Sequence, residues 1–338
     1  MQEFIAALKI AFVTDGGSQM GMGHVQQSTT LARELMRRAE ICFLTQSDNI
    51  VVSQILSCGF NTFKLDDDNG VTGLLQEMQP SIVIIDKPDV EEAFARRLKD
   101  SMNVKLVIFN NLTAANRYAD IVVRLYPVDL AGLWHENITF RDEKTNTLYF
   151  YGPKYLVLRK EFYELHNKGK SMSSRIERIL LIFGGSDPLN LTSTVLDELL
   201  GLRDEYTIDV ILGPHFGHLQ AFNRVLAKHH DKNGSVNVHT NAKNVAEFMY
   251  SADLVIVSPG LSTFEALCVG TPVIVMPQSS RQRETYQAYM RLLAKDDVGK
   301  LESIIARAEF VDPHDERIAR LDIGQGISEL IDVIIGSP

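Results

Sequence analysis

The feature of this sequence that most constrains its fold is a series of short apolar runs, rich in valine and isoleucine, that alternate with segments of helical periodicity. The first half holds five such runs, at 9–14, 41–44, 82–85, 105–109 and 121–123. Continuous apolar runs of this length are typical of strands buried on both faces of a parallel sheet. Between them, 29–38 and 90–101 carry apolar residues at helical spacing. The alternation predicts a doubly wound α/β sheet with right-handed crossovers.

The same pattern starts again in the second half, at 179–183, 207–212, 236–238, 254–257 and 272–276. A length of 338 residues and an apolar fraction of 45% are enough for two cores. The polar segment 166–175 predicts a linker. We therefore predict an N-terminal Rossmann-like domain over 1–165 and a C-terminal Rossmann-like domain over 176–338. The last helix is a candidate to pack back on the first domain.

Charge and cysteine content narrow the class of protein. A net charge of −9 argues against non-specific binding of nucleic acid, which needs a surplus of cations. It leaves room for an anionic small ligand, because backbone amides can make a local positive site. Three cysteines without metal-type spacing indicate a reducing compartment. With no basic leader and no apolar run near the roughly 18 residues that cross a bilayer, we expect a cytoplasmic enzyme without membrane insertion.

A glycine-rich loop at 15–24 follows the first predicted strand, with four glycines in eight residues. It matches neither a Walker A loop nor the dinucleotide fingerprint of Rossmann folds. Gly21 and Gly23 would let the backbone approach a ligand closely. His24, at the start of the next helix, would stay neutral and could act as a general base on water or on an acceptor hydroxyl. Alternatively, His24 only fills the first helical turn.

A second loop follows the first strand of the second half. Gly184, Gly185 and Ser186 are predicted to line a nucleotide site at this strand end, since ligands bind at the carboxyl ends of parallel strands. Asp187 and Pro188 read as an N-cap and the first helical residue. The alternative for the loop is a tight strand-to-helix turn without ligand contact.

A third loop follows the run at 254–257. Gly260, Ser262 and Thr263 would place amides and hydroxyls at a helix start, which suits a diphosphate. Glu265 could accept hydrogen bonds from both ribose hydroxyls. The spacing of Ser262 and Glu265 also fits a capping box, in which the carboxylate binds the backbone instead.

A fourth loop follows the run at 272–276 and contains Gln282, which is predicted to bind the sugar. Its neighbours Arg281 and Arg283 could bind phosphate or remain solvated.

Two other signals are discounted. The acidic run 66–68 is read as a turn before Asn-Gly. The histidines at 229–230 lack a nearby third ligand, so no metal site is predicted.

Together these segments resemble a known family. Gly-Met-Gly-His at 21–24, Tyr-Gly-Pro-Lys-Tyr at 151–155 and Gly-Gly-Ser-Asp-Pro at 184–188 look like the UDP-sugar hydrolase of pseudaminic acid biosynthesis. They are also similar to its relative in spore coat polysaccharide synthesis. The segment 252–272 resembles the nucleotide-binding half of the N-acetylglucosaminyltransferase of peptidoglycan synthesis.

The resemblance implies a glycosyltransferase-B fold, in which two Rossmann-like domains face each other across a cleft. It implies a metal-independent, inverting cleavage in which His24 activates water and Glu265 holds the ribose. It further implies that Asp86 and Tyr155 bind the sugar. We expect no metal and no other cofactor, and the oligomeric state is left open.

Four residues depart from the family pattern at positions expected to face the sugar. This chain has Gln27 where the family has arginine. It has Lys87 within the segment 86–88, where the family has an Asp-x-Tyr-type segment, and it has Asn110 and Asn111 where the family has paired aspartates. The leading hypothesis is a UDP-sugar hydrolase that releases UDP and a free amino or deoxy sugar for nonulosonic acid or surface polysaccharide synthesis. The alternatives are a glycosyltransferase of the same fold, acting on a hydroxyl acceptor, and a non-catalytic sugar-nucleotide sensor.

Overall fold

The structure is a computed structural model that describes residues 8–17, 20–125, 137–173, 175–202, 206–240, 242–287 and 290–336. The chain divides into two compact units. The first comprises Met1–Val157 with Gly324–Pro338, and the second comprises Leu158–Ile323. Each unit is built around its own sheet.

The first unit contains an eight-stranded sheet. Its strands are β1 Lys9–Thr14, β2 Glu40–Thr45, β3 Asn61–Lys64, β4 Ile82–Asp86, β5 Lys105–Phe109, β6 Ile121–Arg124, β7 Ile138–Arg141 and β8 Leu148–Tyr151. Their order across the sheet is β3-β2-β1-β4-β5-β6-β8-β7. All neighbours are parallel except the β7–β8 pair. The carboxyl ends of β1, β4 and β5 therefore lie side by side at one edge.

The second unit contains a five-stranded, fully parallel sheet. Its strands are β9 Arg178–Ile182, β10 Thr207–Leu212, β11 Val236–Thr240, β12 Leu254–Val257 and β13 Val273–Val275. Their order is β11-β10-β9-β12-β13. The strand order reverses next to β9, so the loops after β9 and β12 flank a topological switch point, where ligands bind in such sheets.

The helices connect the strands and cover the sheets. They are α1 Gly23–Leu35, α2 Asn49–Ser57, α3 Asp68–Met78, α4 Glu92–Ser101, α5 Lys160–Lys168, α6 Leu191–Gly201, α7 Leu219–Lys228, α8 Val245–Ser251, α9 Leu261–Cys268, α10 Ser280–Tyr286, α11 Leu301–Ala306, α12 Glu316–Ala319 and α13 Ile327–Ile335. The first sheet is buried on both faces, one packing Phe12 and Phe43 and the other Val83 and Phe94. Among the described residues, no helix has both the length and the apolar character needed to cross a membrane.

The last helix belongs to the first unit. Leu330 and Ile334 of α13 are fully buried in the core beside Phe12. Lys105 Nζ donates to the carbonyls of Val333 and Ile334 at 3.0 and 3.1 Å, which satisfies acceptors that a helix end leaves unpaired. Thus α13 completes the core of the first unit.

The boundary between the units lies at Val157/Leu158, upstream of the linker predicted at 166–175. The polar segment is not a free connection, because its groups are tied to the second unit. His166 Nδ1 lies 2.7 Å from the carbonyl oxygen of Cys268, and Lys170 Nζ donates to Thr271 Oγ1 at 2.7 Å. The described residues of the segment are mostly exposed, as its polar composition suits, but these two side chains bind backbone and hydroxyl partners of the second unit.

Candidate functional site

His24 and Asp86 meet at the carboxyl edge of the first sheet. His24 is the second residue of α1, and Asp86 ends β4, paired in register with Thr14 of β1. His24 Nδ1 lies 2.7 Å from Asp86 Oδ1, and the histidine side chain is 20% exposed. An ionised carboxylate only accepts hydrogen bonds, so Nδ1 donates the proton and the ring lone pair lies on Nε2. This tautomer is the one that can act as a base through Nε2.

Asp86, expected to bind the sugar, is 1% exposed, and its carboxylate is engaged by donors of the protein. Its Oδ1 also accepts from Asn110 Nδ2 at 3.1 Å, and its Oδ2 from Ser28 Oγ at 3.4 Å. A buried carboxylate needs such donors to stay charged. The amide at 110, expected to face the sugar, is instead a donor to this carboxylate. Asp86 is therefore placed to orient His24 and to stabilise its protonated form.

Backbone hydrogen bonds hold the described part of the glycine-rich loop before α1. Gly17 and Gly21 exchange two backbone hydrogen bonds of 3.0 and 2.8 Å, and Gly16 N donates to Ser47 Oγ at 2.9 Å. Gly21 has a φ of 82°, a conformation that favours glycine. Gly23 is exposed at the start of α1, so its backbone is accessible beside the histidine.

A buried ion pair between Lys87 and Asp15 is connected to this loop through Ser47. Lys87 Nζ lies 2.5 Å from Asp15 Oδ2. The other oxygen of Asp15 accepts from Thr45 Oγ1 at 2.8 Å, Gln46 N at 2.7 Å and Ser47 Oγ at 3.0 Å. Burial by itself raises the pKa of Asp15, but the Lys87 ammonium and these hydrogen bonds outweigh it and lower that pKa. Lys87, expected to face the sugar, is thus occupied by Asp15.

Three more predicted sugar-facing positions lie in the interior. Tyr155 is buried in the first core, where its hydroxyl lies 2.7 Å from Thr139 Oγ1, so it does not line the loop edge. Asn111 is also buried; its amide accepts from the backbone of Val90 at 3.0 Å and shapes the chain after β5. Gln27 is buried on α1, one turn after His24. Short polar segments next to strand ends predicted exposure, yet the Asn111 amide binds backbone groups and the Tyr155 hydroxyl a threonine side chain.

In the second unit, the loop 184–186 remains at least partly accessible. Gly184 is exposed, with a φ of 79°, and Gly185 and Ser186 are half-buried. The Gly185 carbonyl accepts from His215 N at 2.8 Å. At Gly213, a Cβ would lie 2.4 Å from the Gly184 oxygen and 2.6 Å from Gly185 Cα. The absence of a side chain at 213 therefore lets two strand-end loops touch.

We expect Gly213→Ala to lower the free energy of unfolding by about 1–3 kcal/mol, since the added methyl group meets backbone that cannot rotate away. Gly217→Ala is the matched control, as a Cβ there meets nothing within 4 Å. Urea unfolding of both variants provides the measurement. Equal behaviour of the two variants would contradict the packing argument.

Asp187 caps α6, but not as the N-cap. Its two oxygens accept from the backbone nitrogens of Leu191 and Thr192, both at 2.8 Å. The helix begins at Leu191, and Asn190, at a φ of 53°, holds the N-cap position. The prediction that Pro188 is the first helical residue was therefore wrong, because a turn separates it from the helix.

The loop before α9 divides into accessible and buried parts. Gly260 and Ser262 are half-buried, whereas Thr263 is fully buried and its hydroxyl donates to the Ser258 carbonyl at 3.1 Å. The Thr263 hydroxyl is thus unsuited to binding phosphate. Glu265 is 3% exposed, and Arg159 Nη2 donates to its Oε1 at 3.3 Å. Burial raises the pKa of Glu265, and the attraction of Arg159 only partly opposes that rise.

Two glutamines organise the loops of the second unit. Gln278 Nε2 donates to the Phe183 carbonyl at 2.9 Å and to Ser258 Oγ at 2.7 Å, linking the ends of β9 and β12 to the segment after β13. Gln282 Oε1 accepts from Gln278 N at 2.7 Å, and its Nε2 donates to the Pro259 carbonyl at 3.0 Å. Gln282, predicted to bind the sugar, is half-buried and positions this loop through both ends of its amide. Sequence reasoning missed Gln278 altogether.

Metal ligation finds no support in the described part of the chain, where no group of three or more His, Cys, Asp or Glu side chains could hold an ion. Arg281 and Arg283, which flank Gln282 in the sequence, are exposed. His229 Nε2 lies 2.7 Å from Asp197 Oδ1, a pairing that accounts for this histidine without a metal.

The chain has relatives among characterised and uncharacterised proteins, although no protein-family model matches it. An uncharacterized protein of Methanocaldococcus jannaschii is 40% identical over 333 residues, 97% of this chain, and the chain spans 66% of that protein's length. The Bacillus subtilis spore coat polysaccharide biosynthesis protein SpsG is 24% identical, over 86% of this chain and 84% of that protein. The UDP-2,4-diacetamido-2,4,6-trideoxy-beta-L-altropyranose hydrolase of Campylobacter jejuni is 22% identical, over 77% of this chain and 88% of that enzyme.

Solved structures establish the fold. MurG of Acinetobacter baumannii superposes with a TM-score of 0.64 at 12% identity, covering 97% of this chain and 99% of that one. The UDP-GlcNAc 2-epimerase of Neisseria meningitidis, bound to UDP-GlcNAc, gives 0.61 at 10% identity, covering 98% and 100%. The two Rossmann-like sheets are thus those of the glycosyltransferase-B fold, as the sequence predicted.

Proposed function

We propose that this chain hydrolyses a nucleotide sugar, with a uridine diphosphate sugar as the substrate class. The observation that carries the proposal is the 2.7 Å contact between His24 Nδ1 and Asp86 Oδ1 at the carboxyl edge of a parallel sheet. A histidine oriented by a buried carboxylate is an arrangement for general base catalysis. The distant relationship to a UDP-sugar hydrolase supports the same choice of reaction.

In the proposed reaction, Nε2 of His24 takes a proton from a water molecule as its oxygen attacks the anomeric carbon. The new C–O bond forms on the face opposite the leaving group, so the configuration inverts. The bond from the anomeric carbon to the diphosphate oxygen breaks, and UDP leaves with the electron pair. Asp86 stabilises the imidazolium that forms. The backbone at Gly21 and Gly23 lies beside the histidine and is assigned to the sugar.

The nucleotide end of the substrate is assigned to the second unit. The accessible groups at its strand ends are Gly184, Gly185, Ser186, Gly260 and Ser262. The last two lie at the start of α9, where unpaired amides and the helix dipole favour a diphosphate. Glu265 follows one turn later and is assigned to the ribose hydroxyls. The UDP-GlcNAc bound to a protein of the same fold supports a diphosphate sugar as the ligand class.

The experiment is incubation of the chain with a panel of UDP- and CMP-sugars in ¹⁸O-labelled water, with mass analysis of both products. We expect label on the released sugar and none on UDP, because water attacks carbon. Label on the nucleotide phosphate would overturn the mechanism. UDP release that requires an added hydroxyl acceptor would assign the same base to glycosyl transfer. His24→Ala should stop release, and undiminished turnover in that variant would contradict the role of His24.

A further inference from the structure

Arg159 lies beside the carboxylate assigned to the ribose. It immediately precedes α5, and its Nη2 is 3.3 Å from Glu265 Oε1 on α9. Its Nη1 is 3.3 Å from Glu161 Oε1, and the guanidinium carbon sits 4.8 Å from the centroid of the Phe162 ring. The Arg159 side chain is mostly covered, and its Nε is buried with no hydrogen-bond partner in the described structure. The guanidinium is therefore held in one position by an aromatic ring and two carboxylates.

We propose that Arg159 is a positioning residue for nucleotide recognition, which keeps the Glu265 carboxylate ionised so that it can accept hydrogen bonds from the two hydroxyls of a ribose. The inference rests on the proposed function for the identity of the ligand. An ionised carboxylate offers acceptor sites on both oxygens, enough for Arg159 and a diol together. A protonated carboxyl group loses acceptor capacity and gains a donor that a hydroxyl pair does not require.

The surroundings of Glu265 explain why it needs this partner. Burial raises the pKa of Glu265, the nearby Glu161 raises it further, and Arg159 lowers it by charge and by hydrogen bonding. The Ser262 side chain also donates to the carboxylate. The remaining titratable group of α9 is Cys268, and burial raises the pKa of that thiol to about 12, so it stays neutral. Arg159 is thus the cation that opposes both burial and Glu161.

Arginine suits this task better than lysine does. Its charge does not depend on pH in the physiological range, and its planar group can stack on Phe162 while donating through Nη2. A lysine would supply the charge without the stacking or the fixed geometry. We therefore expect Arg159→Lys to retain part of the effect and Arg159→Met to lose it.

The test compares the wild-type chain with Arg159→Met and Arg159→Lys in equilibrium binding of a uridine diphosphate sugar across mildly acidic to mildly alkaline pH. We expect Arg159→Met to bind about 10- to 100-fold more weakly at acidic pH, the cost of losing hydrogen bonds to a charged group. Because the Met variant leaves the Glu265 carboxyl protonated at low pH, its affinity should recover as pH rises. Arg159→Lys should shift the pH dependence less.

Glu161→Gln is the matched control, because it removes the other partner of Arg159 together with a charge that disfavours ionised Glu265. It should leave affinity unchanged at neutral pH. A loss in Arg159→Met that is equal at every pH would overturn the inference, since it would mean direct contact with the ligand or a structural role. Unchanged affinity in Arg159→Met would overturn it as well.

Unfolding without ligand separates this inference from the proposed function. A carboxyl group whose pKa is raised by folding stabilises the fold below its unfolded pKa, and that contribution is lost as pH rises through the folded value. As pH rises, the single variant Arg159→Met should therefore lose stability more steeply than the double variant Arg159→Met/Glu265→Gln. The double variant has no ionisable group at position 265. Parallel curves would overturn the electrostatic role even if nucleotide binds. If the wild-type chain binds no uridine diphosphate sugar, the proposed function fails, while the unfolding curves still decide whether Arg159 keeps Glu265 charged.

Discussion

We expect Asp86→Asn to lower kcat about 10²- to 10⁴-fold, the range attributed to general base catalysis, with a much smaller change in KM. Asp86 does not touch the substrate in the proposed reaction. Its carboxylate holds the proton of His24 on Nδ1 and so leaves the lone pair on Nε2. An asparagine amide can donate to Nδ1 instead, which favours the opposite tautomer and places the proton on the nitrogen that must act as base.

Ser28→Ala is the matched control for this substitution. It removes the 3.4 Å hydrogen bond to the other Asp86 oxygen but keeps the charge and the contact with His24. We expect it to change kcat by less than about 10-fold, because a hydrogen bond of 3.4 Å is long and Asp86 keeps His24 and Asn110 as donors. Steady-state kinetics and a thermal melt of each variant are the measurements. If Asp86→Asn were fully folded and nearly as active as wild type, the histidine would not depend on this carboxylate.

The second large effect is expected in stability. Lys87→Met should lower the free energy of unfolding by about 3–5 kcal/mol near neutral pH, because it leaves the buried Asp15 carboxylate without its cation. The Lys87–Asp15 distance of 2.5 Å and the slight exposure of both side chains make this a buried pair. Since Asp15 in turn binds Ser47, and Ser47 receives the Gly16 amide, the glycine-rich loop should loosen as well.

The double substitution Asp15→Asn with Lys87→Met is the control, because removing both charges leaves no uncompensated ion. It should be more stable than Lys87→Met alone. The pH dependence has a definite sign: the pKa of Asp15 is lowered by folding, so its contribution is present above the unfolded carboxyl value and is lost as pH falls through the folded one. The gap between wild type and Lys87→Met should therefore shrink below about pH 4. A gap that is constant with pH would contradict the ion-pair explanation.

Strands that contain valine- and isoleucine-rich runs were predictable from the sequence, among them β11 and β13 at the margins of the second sheet, whereas β3, β7 and β8 at the margins of the first sheet were not. The runs at 9–14 and 254–257 are wholly or mostly apolar and match β1 and β12. The exposed strand β3 and the β7–β8 hairpin gave no such signal, since solvent-facing positions need not be apolar. Helix α1 begins at Gly23, in agreement with the helix start predicted near His24, although its apolar periodicity is recognisable only from residue 29 onward.

The candidate site shows the same division. Glycine loops and His24 were predictable because ligand sites follow strand ends. The partners of these groups were not, since they depend on contacts distant in sequence: His24 with Asp86, and Glu265 with Arg159, are 62 and 106 residues apart. One signal was available, an aspartate that ends an otherwise apolar buried strand at 82–86, which calls for a specific partner. For Arg159 and Gln278, the residue type alone gave no signal of this kind.

The amide of Gln278 has a practical consequence for protein engineering. Because it binds both the Phe183 carbonyl and the Ser258 hydroxyl, three loops from distant parts of the chain form one hydrogen-bonded assembly. Exchanging a single loop with that of a homologue would leave its neighbours with unmatched partners. Chimeras of this region should therefore transplant the three segments as a set, together with the glutamine that joins them.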